Sequence, residues 1–384
     1  MKALALAFAA AAIVSTQTGG GAAGFTAHEI GTGLRGGYQV VVADLNKDGK
    51  PDIIALASGL PELLWYENPG WQKHVLASGV SQLINASAYD IDGDGIPEIA
   101  IAQGFTTSTK TSKGQVGLLT HGADVTAPWT YKEIDAVPTA HRLRWIDADG
   151  SGRKLLAMAP LIGMDSTPPD YKTPMSIFFY RAPDWKREVV TDALTGLVHG
   201  IEATPWDGVK GEVLMSAGFT GLNQYRFANG KWTQTELSKG DPQPWPKSGA
   251  SDVTLARLGG QKFLATIEPW HGNEVVIYKQ TGGAWTRQQI DDQIADGHTI
   301  VALDIDGDGR DEVVVGQRGG VRTPMIYAAS ADGSSWSKRA LDADGAMAAA
   351  GCAAADLNAD KRVDVVCIGT ATANLKWYEN VGKK

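Results

Sequence analysis

Residues 36–76 read GGYQVVVADLNKDGKPDIIALASGLPELLWYENPGWQKHVL, and the order of apolar and polar runs in this stretch decides the fold. Gln39–Ala43 is a short apolar strand. Asp44-Leu45-Asn46-Lys47-Asp48-Gly49-Lys50-Pro51-Asp52 is an acidic turn, and Ile53–Leu56 is a second strand. After a Gly-Pro loop, Leu63–Tyr66 makes a third strand. Glu67-Asn68-Pro69-Gly70 then turns the chain into a fourth, Trp71–Leu76. Apolar runs of this length bounded by Gly, Pro, Asn and Asp read as successive antiparallel hairpins.

The unit recurs along the chain. Its last strand carries an aromatic residue and, five positions on, an aliphatic one: Phe25–Ile30, Trp71–Leu76, Trp129–Ile134, Trp185–Val190, Trp232–Leu237, Trp285–Ile290 and Trp336–Leu341. A period of about fifty residues with four short strands per repeat marks β-propeller blades. The final unit supplies three strands, ending at Trp377-Tyr378-Glu379-Asn380, and no fourth. The first copy, Phe25–Ile30, has no three strands before it. The expectation is an all-β, seven-bladed propeller of four-stranded antiparallel blades over residues 24–384. Its ring is closed by the N-terminal strand pairing in the last blade, which leaves no open edge.

Composition agrees. Forty-six Gly, seventeen Pro and twelve Trp suit many short strands and tight turns, and only 20% of residues are charged. A net charge of −8 without a Lys/Arg run argues against nucleic acid or an anionic membrane surface as partner. Residues 1–23 read as a signal peptide: Lys2, an apolar run from Leu4 to Val14 too short to span a bilayer, then Gly21-Ala22-Ala23 as a cleavage site. No other stretch is long enough to cross a membrane, so a secreted or periplasmic protein is expected. Cys352 and Cys367 flank a turn centred on Asp360 and should lie nearly opposite on adjacent strands. A disulfide and a pair of buried thiols are both compatible with that placement.

The turn between the first two strands repeats D-x-[DN]-x-D-G-x-x-[DE]. Complete versions are Asp44/Asn46/Asp48/Asp52, Asp90/Asp92/Asp94/Glu98 and Asp304/Asp306/Asp308/Glu312. Asp356/Asn358/Asp360/Asp364 keeps the acids but has Lys361 in place of Gly, and Asp147/Asp149/Ser151 loses its last acid to Leu155. Oxygen ligands at positions 1, 3, 5 and 9 suit Ca²⁺, which takes six to eight of them. Three to four structural calcium sites are expected. Asp, Asn and Gly are also ordinary turn formers, but near-copies at one place in the repeat favour the ion. On these turns the chain resembles the FG-GAP/VCBS repeat family of seven-bladed propellers, a resemblance that covers residues 24–384 and speaks to fold and calcium rather than to chemistry.

In a propeller the first strand of each blade faces the axis, and the face opposite the acidic turns gathers loops from every blade. His141 and His298 each stand six residues before the first Asp of their turns, and His199 opens the matching strand of the fourth blade. Tyr38 is the counterpart in blade one, Asn85 sits one residue off in blade two, and Asp252 opens the strand of blade five. The facing loop of blade five is Glu268-Pro269-Trp270-His271-Gly272-Asn273, and blade six offers Gln317 and Arg318. Several imidazoles and a carboxylate around one cleft are the composition of a metal or acid–base site.

The Glu268–Asn273 stretch, Leu64-Trp65-Tyr66-Glu67-Asn68-Pro69-Gly70 and Gly297-His298-Thr299 also resemble the propeller domain of the fungal aldos-2-ulose dehydratases. That resemblance implies a sugar-derived carbonyl substrate, a histidine-held metal and elimination of water; seven-bladed polysaccharide lyases give a second analogy, β-elimination from uronates. The expectation is a carbon–oxygen lyase holding Zn²⁺ or Mn²⁺ on His141, His199 and His298. His271 or Glu268 would be base, Tyr38 acid, Arg318 the anion holder, and Trp270, Asn85, Asp252 and Gln317 substrate contacts. The competing expectation is a non-catalytic carbohydrate-binding or adhesion propeller, with Trp270, Trp245 and Phe219 stacking on sugar faces.

Overall fold

The computed structural model describes residues 24–382; the expected signal peptide lies outside the described residues. Twenty-eight strands form seven four-stranded antiparallel sheets, and there is no helix among the described residues. The first blade contains Gly37–Ala43, Asp52–Ala57, Glu62–Glu67 and Gln72–Ser78 in that spatial order. Blades two to six repeat the order, each beginning with its axial strand: Asn85–Tyr89, Ala140–Ile146, Val198–Pro205, Asp252–Leu258 and Gly297–Leu303.

The seventh blade closes the ring as the sequence predicts. Ala349–Ala355, Asp364–Gly369 and Asn374–Asn380 are joined on the outside by Phe25–Thr32, with Phe25 opposite Asn380 and Thr32 opposite Asn374. Hydrophobic cores lie between neighbouring blades. Ile54, Trp65 and Leu76 of blade one meet Ile99, Ile101 and Leu119 of blade two, and Val314 and Ile326 of blade six meet Val365 and Tyr378 of blade seven. Each sheet thus buries both faces, which explains second strands that are apolar along their length, such as Asp52–Ala57 and Leu155–Pro160.

Cys352 and Cys367 are directly paired residues of the last blade and form a disulfide. Cys352 also lines the axial channel.

One irregularity sets up the site. In blades one, three, four, six and seven the pairing of the first two strands slips at the second residue of the axial strand, which is Tyr38, His141, His199, His298 or Ala350. A bulge leaves one residue unpaired and re-aims its side chain. At the same place in each of these blades the residue at the funnel end of the strand is therefore released from the ladder. Glycine follows the bulge at Gly200 and Gly351, where a Cβ would run into Asp252 or into the backbone of Tyr38 and Gln39.

Candidate functional site

His199, His271 and His298 converge. One ring nitrogen of each lies within 4.8 Å of the others, and Nε2 of His199 is 3.1 Å from Nε2 of His271. Two imidazoles sharing a tetrahedral ion at Zn–N distances of 2.0–2.1 Å would hold their nitrogens about 3.3 Å apart. The second nitrogens of His199 and His298 are anchored in the manner of metal-binding histidines. Nδ1 of His199 meets Ser251 O at 3.1 Å, and Nδ1 of His298 meets Ala350 O at 2.6 Å. Donation to those carbonyls puts the lone pair of each ring on Nε2. Nε2 of His298 is buried without a hydrogen-bond partner, as expected of a lone pair whose partner is an ion. Burial, reinforced by Arg142 at His199 and by Arg318 at His298, holds both imidazoles well below the usual histidine range. Burial also lowers His271, to about 4. All three are neutral at neutral pH, the form that ligates a metal.

His141 stands beside this group rather than in it. Its ring centroid is 5.0 Å from that of His199, and its Nε2 lies 3.1 Å from the Tyr38 hydroxyl and 3.1 Å from Arg142 Nη1. The expected trio His141, His199 and His298 is thus not the group whose nitrogens converge; that group is His199, His271 and His298. Register along the axial strands ranked His141 equally with the other two, whereas His271 reaches the axis from a loop, at a left-handed φ of 49° that no periodicity announces.

Two other expectations change. Glu268 is fully buried and turned into its own blade. It accepts from Thr266 Oγ1, Tyr278 OH and Arg287 Nε at 2.9, 2.7 and 2.9 Å, so it is a structural carboxylate and not the base. Gln317 is also buried and braces a loop, accepting from Ala295 N and donating to Thr323 O. Arg318 does reach the site, 3.0 Å from His271 Nδ1, but its charge is already matched by a two-bond pair with Asp296. Tyr38 and Asp252 line an axial cavity of about 320 Å³ together with His298. Asn85 lines it too, accepting from Leu143 N at 2.8 Å and Arg144 Nη1 at 3.3 Å. Phe219 is buried, and with Tyr171, Trp245 and Trp270 it makes an aromatic cluster beside His271. Trp270 alone of the three expected stacking aromatics touches an imidazole of the trio, with ring centroids 4.8 Å apart.

Sequence reasoning missed Arg142. It is 6% exposed, lines the same cavity, and hydrogen-bonds Tyr38, His141 and His199. The bulge at His141 is what lets two consecutive residues of one strand reach the axis, and alternation alone would have sent Arg142 the other way.

Comparison with known proteins follows the same lines. A model of the FG-GAP-like repeat matches residues 44–101 and 304–367. Those two segments of the propeller are similar to FG-GAP-like repeats. A model of the aldos-2-ulose dehydratase beta-propeller domain matches residues 113–281, the segment that holds His141, His199 and His271. Aldos-2-ulose dehydratase of Phanerodontia chrysosporium is 26% identical over 263 residues, which are 60% of this chain and 29% of that protein. Among solved structures, a chain of the mitotic checkpoint complex superposes with a TM-score of 0.60 at 12% identity, covering 99% of this chain and 96% of its own. The Dos1 propeller gives 0.55 at 9% identity, covering 90% and 80%. At such identities the likeness is one of fold.

The acidic turns of this propeller share one geometry. The first Asp accepts from the backbone N–H five residues on, in Asp44–Gly49, Asp90–Gly95, Asp304–Gly309 and Asp356–Lys361, at 2.8 to 2.9 Å. The ninth position does something else. Asp52, Glu98, Glu312 and Asp364 point into the blade and accept from the N–H of the second turn residue at 2.8 to 2.9 Å. They clamp the hairpin and stand apart from the carboxylates that converge. Those are Asp90/Asp92/Asp94 and Asp304/Asp306/Asp308, each trio within 4.8 Å. Where Leu155 replaces the clamp, Glu212 of the next blade takes over and accepts from Asp147 N at 2.7 Å. Among the described residues no helix is long and apolar enough to cross a membrane.

Proposed function

We propose that this propeller is an exported carbon–oxygen lyase that eliminates water or an alcohol from a sugar-derived carbonyl compound, with a transition metal on His199, His271 and His298. The observation that carries the reading is the convergence of three neutral imidazoles, one of which, His298, has an orphaned buried Nε2 and lines the axial cavity. The similarity to a protein named aldos-2-ulose dehydratase supports the reaction class. When bound, Zn²⁺ or Mn²⁺ supplies polarisation of a carbonyl and so acidifies the neighbouring C–H.

The chain's own residues supply the rest. Tyr38 shares its hydroxyl with His141 and Arg142, at 3.1 and 3.2 Å. As the Tyr38 oxygen takes a proton from carbon it can hand its own proton to His141 Nε2, and His141 can return that proton through Tyr38 to the departing oxygen, so one pair serves both halves of the elimination. Trp270 and its aromatic neighbours pack beside His271, and the near-complete burial of His199 and His298 keeps bulk water from the reacting atoms.

The acidic turns, on this reading, hold structural Ca²⁺ on their first, third and fifth residues. The disulfide accords with an oxidising compartment. The test is elemental analysis of purified protein together with turnover of a 2-keto sugar, followed by the ultraviolet absorbance of the conjugated enone. About one transition metal ion per chain is expected, lost with turnover in His298→Ala. Full turnover by a chelator-treated, metal-free protein overturns the reading.

A further inference from the structure

Arg142 is a buried cation with no carboxylate in direct contact. It is 6% exposed, and its hydrogen bonds go to the Tyr38 hydroxyl at 3.2 Å and to the Nε2 atoms of His141 and His199 at 3.1 and 3.4 Å. None of these partners is a carboxylate. Two residues on, Arg144 lines the same cavity of about 320 Å³, donating to Leu143 O at 2.7 Å and to Asn85 Oδ1 at 3.3 Å. Among the described residues neither guanidinium forms an ion pair with an acid. Asp252 shares the cavity wall with both and attracts each through space, without a direct hydrogen bond or ion pair. Arg318, by contrast, meets Asp296 through two hydrogen bonds at 3.0 and 2.7 Å.

Leaving a charge buried and unpaired costs several kcal/mol, and proteins keep such groups where a ligand completes them. A guanidinium presents its donors as a planar fork matched to a carboxylate or phosphate. Arg142 also spends donors on two histidine lone pairs. When the lone pair of His199 is engaged by a metal, that donor is left for another acceptor inside the cavity.

We infer that the substrate is a sugar acid whose carboxylate is held by Arg142, with Arg144 deeper in the channel. This rests on the lyase reading above and narrows it. A carboxylate is favoured over a phosphate because it does two things at once. It pairs with the guanidinium, and it withdraws electrons from the adjacent carbon whose proton must leave. A phosphate ester would supply only the first.

The test is isothermal titration calorimetry of the purified full-length protein with D-glucuronate and glycolate, each against its neutral amide, and with glucose 6-phosphate. The expected result is binding of the acids roughly 10- to 100-fold tighter than the amides. That preference should be lost in Arg142→Gln and reduced in Arg142→Lys, with bound transition metal unchanged in both. Equal binding of acid and amide by the unmodified protein overturns the inference, without depending on any variant folding. Absence of acid binding at millimolar concentration does the same, as does binding of the sugar phosphate alone. The two readings fail separately. A protein that prefers the acids through Arg142 but turns over no sugar loses the lyase reading and keeps the anion site. One that eliminates water from neutral keto sugars with no preference for acids does the reverse.

Discussion

Nε2 of His199 and Nε2 of His271 meet at 3.1 Å, from the axial strand of blade four and a loop of the neighbouring blade five. In the absence of an ion one of the two must donate. Arg142 approaches His199 Nε2 and can only donate, so His199 offers a lone pair and His271 carries the proton. For His271 to offer Nε2 to a metal, that proton must move to Nδ1, toward Asp296 Oδ1 3.5 Å away, and Arg318 Nη2, 3.0 Å from Nδ1, must give up its contact there.

The pair leads to a direct comparison of variants. His271→Ala is expected to weaken transition-metal binding by at least ~100-fold, beyond the 10- to 100-fold typical of losing a mere supporting partner. His141→Ala is expected to leave metal affinity within a few fold while lowering turnover. Competition with a chromogenic chelator reads the first quantity. Equal metal loss in both variants would restore His141 to the ligand set.

Glu268 is expected to matter for stability and not for chemistry. Its carboxylate satisfies Thr266, Tyr278 and Arg287 inside blade five, and Arg287 is also held by Glu274. Glu268→Ala should lower unfolding free energy by about 1–3 kcal/mol, the cost of leaving buried partners unsatisfied, with kcat within a few fold of the parent. Denaturant titration and turnover together check this. A collapse of kcat in a variant of unchanged stability would return the residue to the role of base.

The difference between what could and could not be read from the sequence is clear in these residues. Blade order, the pairing of the two ends of the chain and the opposition of Cys352 and Cys367 all follow from strand periodicity and turn position, both local properties of the chain. The acids of the ninth turn position were equally visible, but their direction was not. Whether Asp52 faces an ion or the N–H of Leu45 depends on how the hairpin closes over it. In the funnel, equal register made His141, His199 and His298 look alike. What separates them is a neighbour from another blade: Tyr38 at His141, and a blade-five loop at His199. Such contacts have no spacing along the chain to find.

The lower channel predicts a pH effect. Burial pushes the Glu202 carboxyl from 4.5 up to about 7, with Asp252 adding to the rise and Leu255 N–H, Thr254 and Arg144 opposing it. Between those values the folded protein holds a proton that the unfolded chain has released, so stability falls as pH rises through the window. Below the lower value both states are protonated and the penalty is absent; above about 7 it is complete. Glu202→Gln should therefore gain stability relative to the parent as pH rises from about 4.5 to 7, by about 1–3 kcal/mol at the top of the range. Thermal or urea unfolding at several pH values measures it, and a constant difference between the two proteins would contradict it.

The disulfide encloses fifteen residues of separation within one blade. Cys352→Ala/Cys367→Ala is expected to cost about 3 kcal/mol of unfolding free energy, the loop-closure figure for this length. The urea midpoint should drop accordingly, with little change in the number of bound metal ions. Reduction of the unmodified protein should reproduce the shift.

The strand Phe25–Thr32 finds its partner Asn374–Asn380 across nearly the whole chain, as the 2.8 Å contact of His28 with Glu379 shows. Emerging from a ribosome or a translocation pore, it is the first strand available and the last to be placed. Six blades can assemble from contacts within one or two repeats, but the seventh must wait for the far end, and contacts of such separation form late and slowly. A circular permutant that joins the two ends by a short linker and opens the chain between two other blades would keep every contact of the ring. It would exchange the slowest closure for a local hairpin. The order of assembly is thus a property of where the chain is cut, and the finished ring carries no mark of it.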